Sequence, residues 1–336
     1  MSGPTVSVAL CTYQGERWLP DFLDGIRAQT RPPDELVVSD DGSTDATRAL
    51  VEAFAGDAPF PVRRSTTPRR LGSTFNFAEA FGRCAGDLIA PADQDDVWAP
   101  AKLERLVEEM TRRDLDVAFS DGGVIDDEGR ALPTSLWAGV GFDAGEQRAF
   151  ARDPLGLLLR RSVVTGAAMM FRAAHLPRLL PFPEALNGEA SLMLQDRWIA
   201  IVLAAVGRVG TVPDPLIDFR RHAGQQTGLR DPLTGAEVAH QLRRTTQSSA
   251  AGLLTRADQL DAVLERVGSD GHDGATERIA AAVAHLRRRA ALPGPRPARV
   301  PAVLGEWLGG RYRRYSGGLR SAVADLARPA DRPGAG

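Results

Sequence analysis

The stretch Leu36-Val37-Val38-Ser39-Asp40-Asp41-Gly42-Ser43-Thr44-Asp45 decides the fold. Its first four residues are a short buried-strand signal, and it then breaks into acids, glycine and serine, the residues of turns. Thr44 or Asp45 is placed to cap a following helix, 46–54. The same unit recurs on both sides. Upstream, 5–10 (TVSVAL) reads as a strand that ends in Thr12-Tyr13-Gln14-Gly15, and Leu19, Phe22, Leu23 and Ile26 then fall at helical spacing. Downstream come a weak strand (62–64), a helix (73–84), and a strand (87–91) that runs into Asp93-Gln94-Asp95-Asp96. An amphipathic helix (102–112) and a strand (117–120) follow. This alternation predicts an α/β fold: a mostly parallel open sheet flanked by helices. Ligands of such sheets lie beyond the carboxyl ends of the strands. Three of those ends carry Tyr13, Asp40 with Asp41, and Asp93 with Asp95 and Asp96.

From Val163 the pattern changes. Residues 163–171 read as a strand or strand-turn-strand unit, 192–206 as a largely apolar helix holding Asp196, and 208–211 and 216–219 as two late strands. Residues 235–289 read as two or three helices, the proline-rich 293–301 as a linker, and 303–326 as a helical tail. These readings predict a domain over 1–230, with halves 1–120 and 121–230. A helical C-terminal extension over 231–336 ends in a basic aromatic tail.

At 336 residues the chain fits one large domain or two modest ones, at about 150 residues each. Hydrophobic residues at 43% and charged residues at 25% exclude general disorder. A formal charge of −2 gives no case for nucleic acid as a partner. The charge is uneven, however: residues 287–336 carry 11 Arg against three acids, which points to an anionic partner at one end. Lys102 is the only lysine and reads as compositional bias. Cys11 and Cys84 make no disulfide framework or zinc site, and a reducing compartment fits them. The N-terminus lacks a basic segment followed by a long apolar run, so no signal peptide is expected. The longest apolar run, 198–206, is too short to span a bilayer. The expected location is the cytoplasm, with peripheral contact at the inner face of the cell membrane. In the tail, Trp307, Tyr312, Tyr315 and Leu319 interleave with Arg311, Arg313, Arg314 and Arg320. That pattern suggests an interfacial anchor over 303–326, and a helix docked on the domain or a partner is the alternative.

Asp93 and Asp95, two apart at a strand end, can face one hard cation such as Mg2+ or Mn2+ and leave room for phosphate oxygens. The plainer reading is an acidic cap for the next helix. Asp40 can accept the N3–H of uracil or thymine, or a ribose hydroxyl, and it can equally be a turn residue. Tyr13 can stack on a base or half-pack on the core. Asp196, flanked by Leu194, Trp198 and Ile199, is a candidate general base, or else an exposed acid paired with Arg197. His222 is structural, or a ligand to metal or phosphate.

Together these pieces resemble an inverting glycosyltransferase of family 2 with the GT-A nucleotide-diphospho-sugar transferase fold. The resemblance covers roughly residues 5–226. VSVALCTYQG (6–15) is similar to the family's opening strand and Thr-Tyr-Asn loop, with Gln14 for Asn. LVVSDDGSTD (36–45) matches the second strand and its turn. LGSTFNFA (71–78) is similar to the Asn-Leu-Gly segment, with Arg70 for the leading Asn. DQDDVW (93–98) resembles the metal-binding Asp-X-Asp motif in a rhamnosyltransferase-like form. Residues 165–172, Gln195-Asp196-Arg197-Trp198 and Phe219-Arg220-Arg221-His222 look like the acceptor half. There Gln195 and Arg197 depart from the family's His-Asp-Trp-Trp.

The resemblance implies a nucleotide-sugar half over 1–120 and an acceptor half over 121–230. It places Thr12, Tyr13, Asp40, Asp41, Arg70, Asp93 and Gln94 around a nucleotide-diphosphate sugar, with a UDP- or dTDP-sugar favoured. It places Mg2+ or Mn2+ at Asp93, Asp95 and His222, and makes Asp196 the base. The implied reaction is transfer of a sugar, rhamnose among the candidates, to a glycan or lipid-linked acceptor in cell-surface polysaccharide synthesis. The alternatives are a non-catalytic nucleotide-sugar-binding module and a nucleotidyltransferase. The second would usually bring a glycine-rich, basic phosphate loop near the N-terminus, and 10–17 (LCTYQGER) lacks one.

Overall fold

All seven residues of β1, Val6–Thr12, are buried, which requires a central strand covered on both faces. The computed structural model describes residues 3–187, 193–222 and 249–328. The other strands are β2 (Glu35–Asp40), β3 (Val62–Thr66), β4 (Leu88–Asp93), β5 (Val97–Trp98), β6 (Val117–Ile125), β7 (Ala131–Ser135), β8 (Met169–Arg172) and β9 (Val209–Arg220). They form one nine-stranded sheet in the order β3-β2-β1-β4-β8-β6-β9-β5, with β7 paired to β6. The half β3-β2-β1-β4 is parallel. The second half is mixed: β8 runs antiparallel to both β4 and β6, and β6 and β9 are parallel.

The flanking helices follow from local periodicity. Leu19–Arg27 buries Leu19, Phe22, Leu23 and Ile26, one face of a helix. Full burial of a side chain such as Phe22 contributes about 1.5–3 kcal/mol. Lys102–Arg113 buries Leu103, Leu106 and Met110, and with them Lys102. The expected helices at 46–54 and 73–84 are Thr47–Asp57 and Ser73–Phe81.

Three expectations change. The two late strands are one strand, β9, which runs through Pro213 and Pro215 because its pairing with β6 shifts register at Ser120/Asp121 and again before Gly123. Of 163–171, only the end is strand; Gly166–Ala168 is a single 3-10 turn ahead of β8. The proline-rich linker is mostly helix, Arg296–Leu308, with Pro297 in its first turn and Pro301 inside. A first-turn proline forfeits no hydrogen bond, and Pro301 forfeits one. The helix read at 192–206 begins at Gln195, and Leu192 lies outside the described residues, as does the expected boundary at 230/231.

The helices Ala250–Val267 and Ala275–Ala290 share the sheet's hydrophobic core through Leu253, Leu260, Val263, Ile279 and Leu286. Arg296–Leu308, Arg311–Tyr315 and Leu319–Ala327 gather around a smaller core of Val303, Tyr312 and Ala322. The tail aromatics do not line an outer face, as the interleaved pattern suggested. Tyr312 is buried, and its hydroxyl donates to Asp325 at 2.6 Å. Tyr315 lies 6.2 Å from the His285 ring. No helix among the described residues is long and apolar enough to cross a membrane. Cys11 and Cys84 are free thiols.

Candidate active site

Strand register brings the polar ends together. Thr12 at the end of β1 is paired with Asp40 at the end of β2, and Cys11 with Asp93 at the end of β4. Beyond them the chain turns polar on all three strands. Asp40 is buried, and its oxygens are engaged: Thr12 Oγ1 donates to Oδ2 (2.8 Å), and Ser43 donates its N–H (2.8 Å) and hydroxyl (2.6 Å). Asp41 is also buried. It accepts from Thr67 Oγ1 (2.9 Å) and from the N–H groups of Leu71 (2.7 Å) and Gly72 (2.8 Å). The two acids therefore knit the first turn and hold the loop that carries Arg70. The Arg70 guanidinium lies 4.1 Å from the centre of the Tyr13 ring.

Gln94 is tied to the backbone of Tyr13 in both directions. The Tyr13 N–H donates to Gln94 Oε1 (2.9 Å), and Gln94 Nε2 donates to the Tyr13 carbonyl (2.8 Å). The approach leaves no room at Gly15, where a Cβ would sit 2.0 Å from Gln94 Oε1. This pairing joins the ends of β1 and β4, so Tyr13 and the acidic turn keep a set separation.

In the acidic turn, Asp95 Oδ2 and His222 Nε2 are 2.8 Å apart, and the His222 ring stacks at 4.0 Å on Trp18. Asp93 is partly exposed. Burial, then the Asp95 charge and the Asp196 charge, push its carboxyl up to about 7, while Lys102 opposes the shift. Asp96 is fully buried. Its Oδ1 accepts the Arg220 N–H (3.1 Å), and Oδ2 has no hydrogen-bond partner among the described residues. Burial, with the charges of Asp95 and Asp93, raises its pKa well above the usual carboxylate range.

Two residues outside the expected set act on this turn, and a third, Gln195, ties together the helices beside it. Arg220 is buried and donates to the Asp95 carbonyl (2.9 Å) and to Asp21 Oδ2 (2.7 Å), which locks the end of β9 against the acids. Lys102 is fully buried, donates to the Ala167 carbonyl, and acts electrostatically on Asp96 and Asp93. Gln195 accepts from Thr74 Oγ1 (3.2 Å) and so joins the helix that carries Asp196 to the helix after Arg70. The signal for Lys102 was in the composition: one lysine among 40 arginines. Arg220 stood inside the quoted Phe219-Arg220-Arg221-His222, but nothing local marked it as buried.

Asp196 lies in the first turn of Gln195–Val206, against the Gly166 turn; a Cβ on Gly166 would sit 3.3 Å from Asp196 Cβ. Its Oδ1 accepts the Arg197 N–H at 2.6 Å. Burial raises its pKa to about 6, against the lowering effect of that bond and of the Arg197 charge. The alternative of an exposed Asp196–Arg197 pair does not hold, because Arg197 is buried and its guanidinium donates to the Leu158 carbonyl (3.1 Å).

The donor set suits a hard divalent cation that keeps few protein ligands. Asp95 and His222 are in direct contact, and Asp93 is close enough to feel the Asp95 charge. Among the described residues, no group of three His, Cys, Asp or Glu side chains is placed to hold a metal ion, so Asp93, Asp95 and His222 do not by themselves form a ligand set. A cation here would therefore draw its remaining ligands from phosphate and water.

Comparison with known proteins gives the family and the fold. The family model described as Glycosyl transferase family 2 matches residues 7–177. An uncharacterized glycosyltransferase of Nostoc is 30% identical over 274 residues, 78% of this chain and 76% of its own. A Bacillus subtilis glycosyltransferase named for teichuronic acid biosynthesis is 26% identical over 135 residues, 40% of this chain and 53% of its own. The match to curated mycobacterial relatives, 26% identical, spans 59% of their length. Among solved structures, Staphylococcus aureus TarS 1–349 in complex with UDP-GlcNAc superposes with a TM-score of 0.54 at 17% identity, over 96% of this chain and 88% of that one.

Proposed function

The chain belongs to glycosyltransferase family 2, and on that premise we propose that it transfers a sugar from a nucleotide-diphosphate donor to an acceptor hydroxyl with inversion at the anomeric carbon. The observation that carries the reading is the placement of Asp196. It stands on a separate helix, yet it is close enough to the Asp93 turn for its charge to act there. A donor held at the strand ends would thus have a carboxylate near its sugar.

In this reading Tyr13, Arg70 and Gln94 shape the nucleotide side, with Thr12, Asp40 and Asp41 setting their backbone. Asp93, Asp95 and His222 would hold Mg2+ or Mn2+, which when bound offsets the negative charge that grows on the departing diphosphate. Asp196 takes the proton from the acceptor hydroxyl as its oxygen attacks. One carboxylate suffices for a single in-line displacement. A base whose pKa is raised toward neutrality is better matched to that proton than an ordinary aspartate.

The TarS complex makes a uridine-diphosphate sugar the first donor to test, with dTDP-sugars next. The teichuronic acid relative supports a glycan or lipid-linked acceptor in cell-surface polymer synthesis. The same reading includes cytoplasmic placement with contact between 303–326 and the membrane. The test is release of nucleotide diphosphate from a panel of UDP-, dTDP- and GDP-sugars with Mg2+ or Mn2+, for wild type and Asp196→Asn. Release from none of them, with any acceptor fraction, would overturn the proposal.

A further inference from the structure

The acids of the C-terminal helices face inward. Glu306 meets His285 at 2.6 Å and both Arg288 and Arg311 at 3.0 Å. Asp325 is fully buried against Arg289 at 2.7 Å and the Tyr312 hydroxyl at 2.6 Å. Four exposed arginines in the same segment, Arg296, Arg313, Arg314 and Arg320, have no acid partner among the described residues. Among the described residues, these four arginines therefore stand at the surface with no acid against them.

Apolar side chains are turned outward beside it. Among the described residues six large hydrophobic side chains are exposed, and five of them are here. Val300, Leu304 and Leu308 are 50%, 51% and 76% exposed and stand four residues apart on one helix face. Leu319 and Val323, 63% and 53% exposed, repeat the spacing on the helix packed against it. A Cβ on Gly318, next to Leu319, would lie 4.0 Å from Arg313 Cγ, so the stem of this arginine adjoins the apolar surface.

We propose that this two-helix face lies on an anionic lipid surface, with Val300, Leu304, Leu308, Leu319 and Val323 entering the headgroup boundary and the four arginines meeting lipid phosphates. The proposal rests on the reading of 303–326 as a membrane contact and deepens it. The anchor is aliphatic and extends back to Val300, while Tyr312 belongs to the packing beneath. Charge decides the occupant. A second copy across a two-fold axis would set arginines against arginines, whereas an anionic bilayer supplies the missing counter-charge.

The test is flotation of the full chain with vesicles of phosphatidylcholine alone and of phosphatidylcholine mixed with phosphatidylglycerol. Binding is expected on the mixed vesicles, weakened by salt. Arg313→Gln and Arg314→Gln should each lower partitioning about fivefold. The Leu304→Glu, Leu308→Glu variant should abolish it with its helical circular dichroism unchanged. Donor turnover of that variant in solution should match wild type, so failure of the sugar-transfer reading and failure of this one are read separately. Equal partitioning of wild type and the Leu304→Glu, Leu308→Glu variant would overturn the proposal. So would a dimer that those substitutions dissolve.

Discussion

The Lys102 ammonium lies 3.5 Å from the centre of the Trp98 ring and donates to the Ala167 carbonyl. It is the only lysine of the chain, it is fully buried, and it faces the charges of Asp96 and Asp93. Burial lowers the Lys102 pKa well below the usual lysine value, and the charges of Asp96 and Asp93 oppose that shift. Lys102→Met leaves the buried Ala167 carbonyl without this donor and should lower stability by about 1–3 kcal/mol, read by denaturant unfolding. Arginine, planar and larger, should not restore it in an enclosed site. An amine-reactive reagent should label no lysine of the folded protein and one after denaturation; rapid native labelling would show that Lys102 is accessible.

The contact between Asp95 and His222 predicts dependence on a divalent ion. Asp95→Ala should reduce turnover by several orders of magnitude. His222→Ala should weaken cation affinity about 10–100-fold, because it removes a group that orients or adds to the donor set. Titration of Mn2+ against donor turnover reads both effects. Full activity in excess chelator would count against a cation at this turn.

Gly15 is expected to matter through Gln94. In Gly15→Ala the new Cβ would meet Gln94 Oε1 at 2.0 Å and push the amide out of its two bonds with Tyr13. Loss of those bonds should cost about 1–3 kcal/mol and weaken donor binding, measured by calorimetry with UDP-GlcNAc. Unchanged affinity would mean that the Tyr13–Gln94 pairing does not shape the pocket.

Asp196→Asn should keep donor affinity within a few-fold and lose on the order of 10²–10⁴ in transfer rate. With a pKa near 6, the wild-type base should gain activity as pH rises through about 6 and plateau above it. The stability effect has the opposite sign. A carboxyl whose folded pKa is raised favours the native state only while protonated, so its ionisation costs stability as pH rises from the unfolded value toward 6. Asparagine at this position should remove that pH-dependent cost. Transfer at the wild-type rate by Asp196→Asn would exclude it as the base.

The sequence alone determined the strand-turn-helix units. Buried β-branched runs such as Leu36-Val37-Val38 and the polar turns after them act within a few residues of one another, so they are legible without the fold. The strand ends already placed Tyr13, Asp40 and the acidic turn on one edge. Only the tertiary structure decided what those residues do to each other. His222 reaches Asp95 across 127 residues of chain, and Arg220 reaches Asp21 across 199, because β9 runs beside β6 and ends at the acidic turn. The orientation of the tail was equally hidden. Its alternating arginines and aromatics fit either face of a helix, and the choice was made by His285, Arg289 and Asp325, which draw Tyr312 inward and leave Leu304 and Leu308 outside. Local pattern encodes which residues can form an element. Which side chains meet depends on register and packing between distant elements, and no short stretch of sequence contains that information.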